Sequence, residues 1–103
     1  MRHFSDTFIK GLKPKAERYE EYEGDGFGIR ITPKNIKTWI YRYKIDGKTY
    51  KLTIGYYPHT SVANARKRFV ELSGYRKEGI NPKDVIQQEE QKKNDTIEKL
   101  VLE

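Results

Sequence analysis

The stretch Lys37–Gly55, KTWIYRYKIDGKTYKLTIG, constrains this chain more than any other. Apolar and polar residues alternate on both sides of Asp46-Gly47, a dipeptide favoured in two-residue hairpin turns because both positions tolerate positive φ. With that pair at the tip, Ile45 faces Lys48, Tyr43 faces Tyr50, Tyr41 faces Leu52 and Trp39 faces Ile54. Apolar side chains then meet across the strands, and a slip of one residue would destroy the agreement. The other face sets Lys44 against Thr49, Arg42 against Lys51 and Ile40 against Thr53. Like charges directly opposite repel. Either solvent screens Arg42 and Lys51 or an anion lies over that face.

The flanking segments extend the pattern. Phe27–Thr32 alternates Ile29 and Ile31 with Arg30 and Thr32, and Pro33–Ile36 turns it into the hairpin. Paired antiparallel, it adds Ile29 and Ile31 to an apolar face and Arg30 to a basic one. Glu17–Glu23 reads as an acidic edge strand, its charges solvated and suited to blocking edge-to-edge association. Gly24-Asp25-Gly26 is a turn, and Gly28 permits close backbone approach. The glycine-rich run 24–28 precedes a strand, whereas a phosphate-cradling loop needs a helix N-terminus after it.

Helices complete the reading. Ser5 caps a short helix with Phe8, Ile9 and Leu12 on one side, stopped ahead of Pro14. Tyr56–Thr60 reads as a connecting loop. Ser61 caps a helix to about Glu78, whose Val62, Ala65, Phe69 and Leu72 form a stripe for the apolar face of the sheet. Gly79 ends it. Asn81-Pro82 reads as a further N-cap with proline at the first helical position, opening a polar helical tail or linker. Asp95-Thr96-Ile97-Glu98 resembles the start of another helix. The fold expected is α+β: a three- to four-stranded antiparallel sheet with helices packed on one face. Residues 1–80 form the domain and 81–103 the tail, as if excised from a longer protein.

Composition narrows the function. The 103 residues carry a net charge of +6, and aromatics make up 13%. That suits one folded domain with a small core. The bases are segregated: Lys37, Arg42, Lys44, Lys48, Lys51, Arg66, Lys67, Arg68, Arg76 and Lys77 lie in a segment whose only acids are Asp46 and Glu71. Such a surface suits a polyanion. Without cysteine there is no thiolate metal site. His3 and His59 lack ligand spacing, so neither metal nor cofactor is expected. Ser61 near His59 is a helix cap, not part of a triad. No apolar run is long enough for a membrane span or signal peptide, which leads us to expect a cytoplasmic protein with no membrane and no small-molecule substrate. Trp39, Tyr41, Tyr43 and Tyr50 offer stacking surfaces for single strands. They share a face with Leu52, Ile54, Ile29 and Ile31 and read as core.

In order and spacing, several segments together resemble one known family. They are Ser5-Asp6-Thr7 with Lys10-Gly11-Leu12-Lys13-Pro14; Gly24–Thr32; Lys37-Thr38-Trp39 through Tyr43; the Asp46-Gly47 turn; Leu52–Pro58; Ser61–Arg66; and Gly79-Ile80-Asn81-Pro82. They resemble the N-terminal arm-type DNA-binding domain of phage and prophage tyrosine recombinases, the integrases. The resemblance covers about Phe4 to Pro82, and departs from the family in its acidic first strand and in Tyr56, where a basic residue is common. It implies a sheet whose free face enters the DNA major groove at arm-type sites near an attachment site. Core-binding and catalytic domains would follow after Thr96, carrying the catalytic residues, so this segment is expected to be non-catalytic.

On that reading Arg30, Arg42, Lys44 and Lys51 lie on the DNA-binding face, with Thr32, Thr38, Thr49 and Thr53 as shorter polar contacts. Arg30 or Arg42 would read guanine edges, and Lys37 and Lys48 at strand ends would hold phosphates. Two other functions fit the residues less well: an RNA or single-stranded nucleic-acid binder using the aromatics, and a subunit-interaction module docking other integrase subunits through the Ser61–Glu78 helix.

Overall fold

A computed structural model describes residues 3–91. The segment Asp95–Glu98, read above as the start of a helix, lies outside the described residues. The order of elements is α1 (Asp6–Gly11), β1 (Tyr19–Gly24), β2 (Phe27–Ile31), β3 (Lys37–Ile45), β4 (Lys48–Tyr57) and α2 (Val62–Lys77), followed by α3 at 82–91. The four strands form one antiparallel sheet in chain order, β1-β2-β3-β4. The acidic strand therefore joins the sheet, beginning at Tyr19 rather than Glu17. The described residues divide into two compact units, the first ending at Glu71 and the second beginning at Leu72.

In the first unit two Asp-Gly turns shape the sheet. Asp46 and Gly47 both have positive φ (51° and 79°), as a type I′ hairpin requires, and Asp25 and Gly26 do the same between β1 and β2 (54° and 88°). Gly26 admits no substitute: a Cβ there would lie 1.9 Å from the Arg42 carbonyl oxygen. Its own carbonyl accepts a hydrogen bond from the Arg42 amide at 2.8 Å. The β1–β2 turn is thus fastened to the middle of β3.

The central hairpin holds the expected register from Ile45↔Lys48 to Ile40↔Thr53. Beyond that the pairing departs from simple alternation. Trp39 pairs with Gly55, not Ile54, because a bulge inserts one extra residue in β4. Gly55 is needed there, since a Cβ would meet the Thr60 hydroxyl oxygen at 2.5 Å. The chain after β4 folds back over this point, and the Thr60 carbonyl accepts the Trp39 indole N–H at 2.8 Å. The bulge also extends β4 through Tyr56 and Tyr57, which the alternation had assigned to a loop.

The core lies against one face of the sheet. Phe27, Ile29, Ile31 and Trp39 meet Phe4 and Ile9 from the N-terminus and Ala65 from α2, with Phe8, Leu12, Val62 and Phe69 packed around them. Phe69 stacks on Phe27 with centroids 5.1 Å apart and meets Tyr41 edge-on at 5.3 Å. Trp39, Tyr41 and Tyr43 are at most 5% exposed, so they are core and offer no stacking platform. Ser5 caps α1 by accepting the Phe8 amide at 3.1 Å, and Ser61 caps α2 by accepting that of Asn64 at 3.2 Å.

In the second unit, Gly79 (φ 84°) closes α2. Its amide donates to the Arg76 carbonyl and the Ile80 amide to that of Tyr75, each at 3.0 Å, as in a Schellman cap. Asn81 Oδ1 accepts the Lys83 amide at 3.1 Å and buried Pro82 opens α3, as the Asn-Pro pair suggested.

Candidate nucleic-acid interface

The face of the sheet turned away from the core follows from strand pairing, because alternate residues point the same way. Its rows run across the strands: Glu20, Arg30, Thr38 and Tyr56; then Tyr22, Gly28, Ile40 and Thr53; then Arg42 and Lys51; then Lys44 and Thr49. Of the residues expected there, Arg30, Thr38, Arg42, Lys44, Thr49, Lys51 and Thr53 all lie on this face. Arg42, Lys44, Thr49, Lys51 and Thr53 are exposed, while Thr38 is buried at 8%. Tyr56, brought to this face by the bulge, is 55% exposed.

Three expected residues lie elsewhere. Lys37 is 7% exposed and belongs to the core side. Its ammonium donates to the carbonyls of Ile9 (2.9 Å) and Lys10 (3.3 Å), closing the end of α1. Burial, with the nearby charge of Lys13, lowers its pKa from the ordinary value. It is not placed to hold a phosphate on the open face. Thr32 closes the β2–β3 turn: its hydroxyl accepts the Ile36 amide at 3.0 Å. Lys48 pairs with Ile45 at the hairpin tip, on the core side of the alternation, its ammonium 5.3 Å from the Tyr50 ring centroid.

The Arg42–Lys51 conflict is answered by an anion inside the protein. Glu20 on β1 accepts the Lys51 ammonium on both oxygens, at 3.0 and 3.2 Å. Its Oε2 also accepts Arg30 Nε at 3.2 Å and Nη2 at 3.1 Å. Tyr22 donates its hydroxyl to Oε1 at 2.8 Å. Burial alone would raise the Glu20 pKa, but the hydrogen bonds from Lys51, Tyr22 and Arg30 outweigh it and hold the carboxyl below the ordinary value. Tyr22 responds in the opposite sense: burial and its bond to Glu20 push the phenol up to about 12. Its ring lies over Gly28, where a Cβ would come within 2.6 Å of Cδ1. The close backbone approach anticipated at Gly28 is made by the Glu21 carbonyl oxygen, 2.8 Å from such a Cβ, with the Tyr22 ring beside it. The Arg42 side chain makes no hydrogen bond or ion pair among the described residues. It borders, with Lys44, Tyr22 and the Gly24–Gly26 turn, a shallow depression of about 410 Å³.

Glu23 is the second acid that is not a solvated edge charge. It accepts the Phe4 amide at 2.7 Å and the Arg66 guanidinium, whose Nη2 also donates to the Phe4 carbonyl at 3.1 Å. The N-terminus, β1 and α2 are joined there on the core side. Sequence alternation assigned both glutamates to solvent because it does not register how far a long cation reaches across neighbouring strands.

Among the described residues no group of His, Cys, Asp and Glu is placed to hold a metal ion. No helix there is long and apolar enough to cross a membrane.

Comparison with known proteins adds an independent line. The family described as Arm DNA-binding domain matches residues 4–89. Prophage integrase IntA of Escherichia coli (strain K12) is 35% identical over 92 residues, covering 87% of this chain and 22% of that protein. The integrase of Shigella phage Sf6 is 38% identical over 60 residues, 58% of this chain and 16% of its own. The integrase of Enterobacteria phage P4 is 31% identical over 88 residues, 84% of this chain and 20% of its own. The chain thus spans about a fifth of the length of these relatives.

Proposed function

We propose that this chain, which belongs to the arm DNA-binding domain family, is the non-catalytic double-stranded DNA-binding module of a phage-type integrase. It binds arm-type sites near an attachment site through the open face of its sheet and supports integration or recombination by a catalytic region carried elsewhere in the protein. Its setting is the cytoplasm, and other integrase subunits are further partners.

The observation that carries this reading is the division of the sheet into two faces. One is filled by Phe27, Ile29, Trp39 and the side chains of α1 and α2. The other presents Arg42, Lys44, Arg30 and Lys51. A B-DNA major groove accepts a β-ribbon as well as a helix, and a sheet face one strand pair wide at its exposed end suits that shape. Arg42 is exposed and its guanidinium is uncommitted, which fits it to a guanine edge or a phosphate. Lys44 and Thr49 in the next row extend the same line towards the hairpin tip. The burial of Trp39, Tyr41 and Tyr43 removes the basis for a base-stacking, single-strand reading.

The test is a titration of duplex and single-stranded DNA at two salt concentrations with wild type and with Arg42→Glu/Lys44→Glu. Wild type is expected to prefer the duplex, with an affinity that falls steeply as salt rises. The double variant, folded by circular dichroism, is expected to lose at least about tenfold. Wild-type affinity in that variant would exclude the open face as the binding surface.

A further inference from the structure

On the open face the Glu20 carboxylate holds both Arg30 and Lys51, and its contacts are specific. It uses one side of the Arg30 guanidinium, Nε and Nη2, and leaves the Nη1 end without a partner among the described residues. It takes the Lys51 ammonium on both oxygens. Tyr22 supplies a fourth donor from a ring seated on Gly28, so the carboxylate is held from β1 itself as well as from β2 and β4. The Glu20 side chain is 20% exposed, Arg30 24% and Lys51 41%.

Three consequences follow for a duplex laid on this face. A guanidinium gripped along its Nε edge has lost the freedom of its last torsions, so its remaining end points in one direction. A lysine whose ammonium is shared with a carboxylate contributes less to phosphate attraction than a free one, because contact with phosphate must compete with the ion pair. A carboxylate on a DNA-facing surface also repels phosphates that approach out of register. All three favour discrimination over raw affinity.

Resting on the reading of this face as the DNA-binding surface, we propose that Glu20 is a positioning and specificity-determining residue. It orients Arg30 for a base edge and withholds Lys51 from indiscriminate phosphate contact. Arg30 touches the base; Glu20 acts through it. The module accordingly has a built-in division of labour. Arg42 and Lys44 supply attraction, and the Tyr22–Glu20–Arg30 set supplies selectivity.

The experiment uses the 103-residue chain and a pool of duplexes with a randomised centre. The duplex most enriched on wild type is then titrated against a scrambled duplex of the same composition over a range of salt. Wild type, Glu20→Gln, Arg30→Ala and the double variant are compared after their thermal midpoints show that each is folded. Glu20→Gln removes the charge and keeps a carbonyl acceptor for Tyr22. It is expected to bind the scrambled duplex more tightly, to steepen the salt slope by about one phosphate contact, and to lower the enriched-to-scrambled ratio at least about tenfold. In the Arg30→Ala background the same change is expected to leave the ratio where Arg30→Ala alone put it. A structural role alone would shift the thermal midpoint and leave ratio and slope unmoved, and that result overturns the proposal. Wild type that binds duplex without preferring the enriched one also overturns it while leaving duplex binding intact. Wild type that binds no duplex overturns the reading of the face itself.

Discussion

Gly28→Ala is the perturbation whose cost can be worked most directly from the geometry. A Cβ at that position would lie 2.6 Å from Tyr22 Cδ1, 2.8 Å from Cε1 and 2.8 Å from the Glu21 carbonyl oxygen. The ring can turn aside, but the carbonyl belongs to the neighbouring strand and moves only if β1 parts from β2. Forcing an extra methyl into a packed site costs about 1–3 kcal/mol. If Tyr22 swings away, its bond to Glu20 is lost as well. That loss adds about 0.5–1 kcal/mol, below the usual figure for a bond to a charged group because the carboxylate keeps Lys51 and Arg30 and is partly solvated. Against this, alanine restricts the unfolded chain and returns about 0.4–1 kcal/mol. The net expectation is a loss of about 1–3 kcal/mol, or a fall in thermal midpoint on the order of 10 °C. Urea unfolding followed by the fluorescence of Trp39, the single tryptophan and fully buried, measures it. Adding Tyr22→Ala separates the two obstacles: about 0.5–2 kcal/mol of favourable coupling is expected from removing the ring, and the remainder belongs to the carbonyl. A Gly28→Ala midpoint within about 0.5 kcal/mol of wild type would refute the account of how Tyr22 is seated.

Two further predictions concern Lys37 and the carboxylates of β1. Lys37→Met keeps the buried stem but leaves the Ile9 and Lys10 carbonyls without their donor; it is expected to lose about 1–2 kcal/mol in urea unfolding and, where folded, to bind duplex with wild-type strength and salt slope. A weakened slope would return Lys37 to the binding surface. Glu20 and Glu23 both titrate below the ordinary value of 4.5. At Glu23 burial opposes the shift, and the bonds from Arg66 and the Phe4 amide, with the charges of Arg66 and His3, overcome it. Groups depressed in this way stabilise the fold fully above the unfolded value and lose that contribution as pH falls through the folded value. Unfolding midpoints are therefore expected to hold steady near neutrality and to decline below pH 4.5, less steeply in Glu23→Gln. An unchanged acid slope in that variant would show that Glu23 contributes nothing to it.

Much of the sheet was legible in the chain because alternation is a direct consequence of the pleat. Asp46-Gly47 set the hairpin, and Trp39, Tyr41 and Tyr43 then had to face inward together. The bulge at Ile54 broke that inference locally. Gly55 is its only trace in the sequence, and its reason is the fold-back of Thr60, which no strand pattern records. The site divided in the same way. Arg30, Arg42 and Lys51 share the face their spacing assigned, yet the partner of Arg30 and Lys51 sits on β1, where a run of glutamates reads as solvated edge. Lys37 follows the alternation faithfully, but its charge does not end in water, because its four-carbon stem runs through the core to a helix end. Long side chains carry their charge some distance from the residue that alternation places.

The strand order repeats the chain order, with two of its three connections made by Asp-Gly pairs. Each strand finds its partner a few residues away, so the entropy of closing a long loop is never spent in building the sheet. Contact order is low for a β-rich fold, and folding speed follows contact order. The docking of α1 onto Lys37 and of the N-terminus onto Arg66 then joins segments 27 and 62 positions apart. Those are the slow contacts. The order of events this topology leads us to expect is a meander first and its helical cover second, with the open face formed before the core beneath it is sealed.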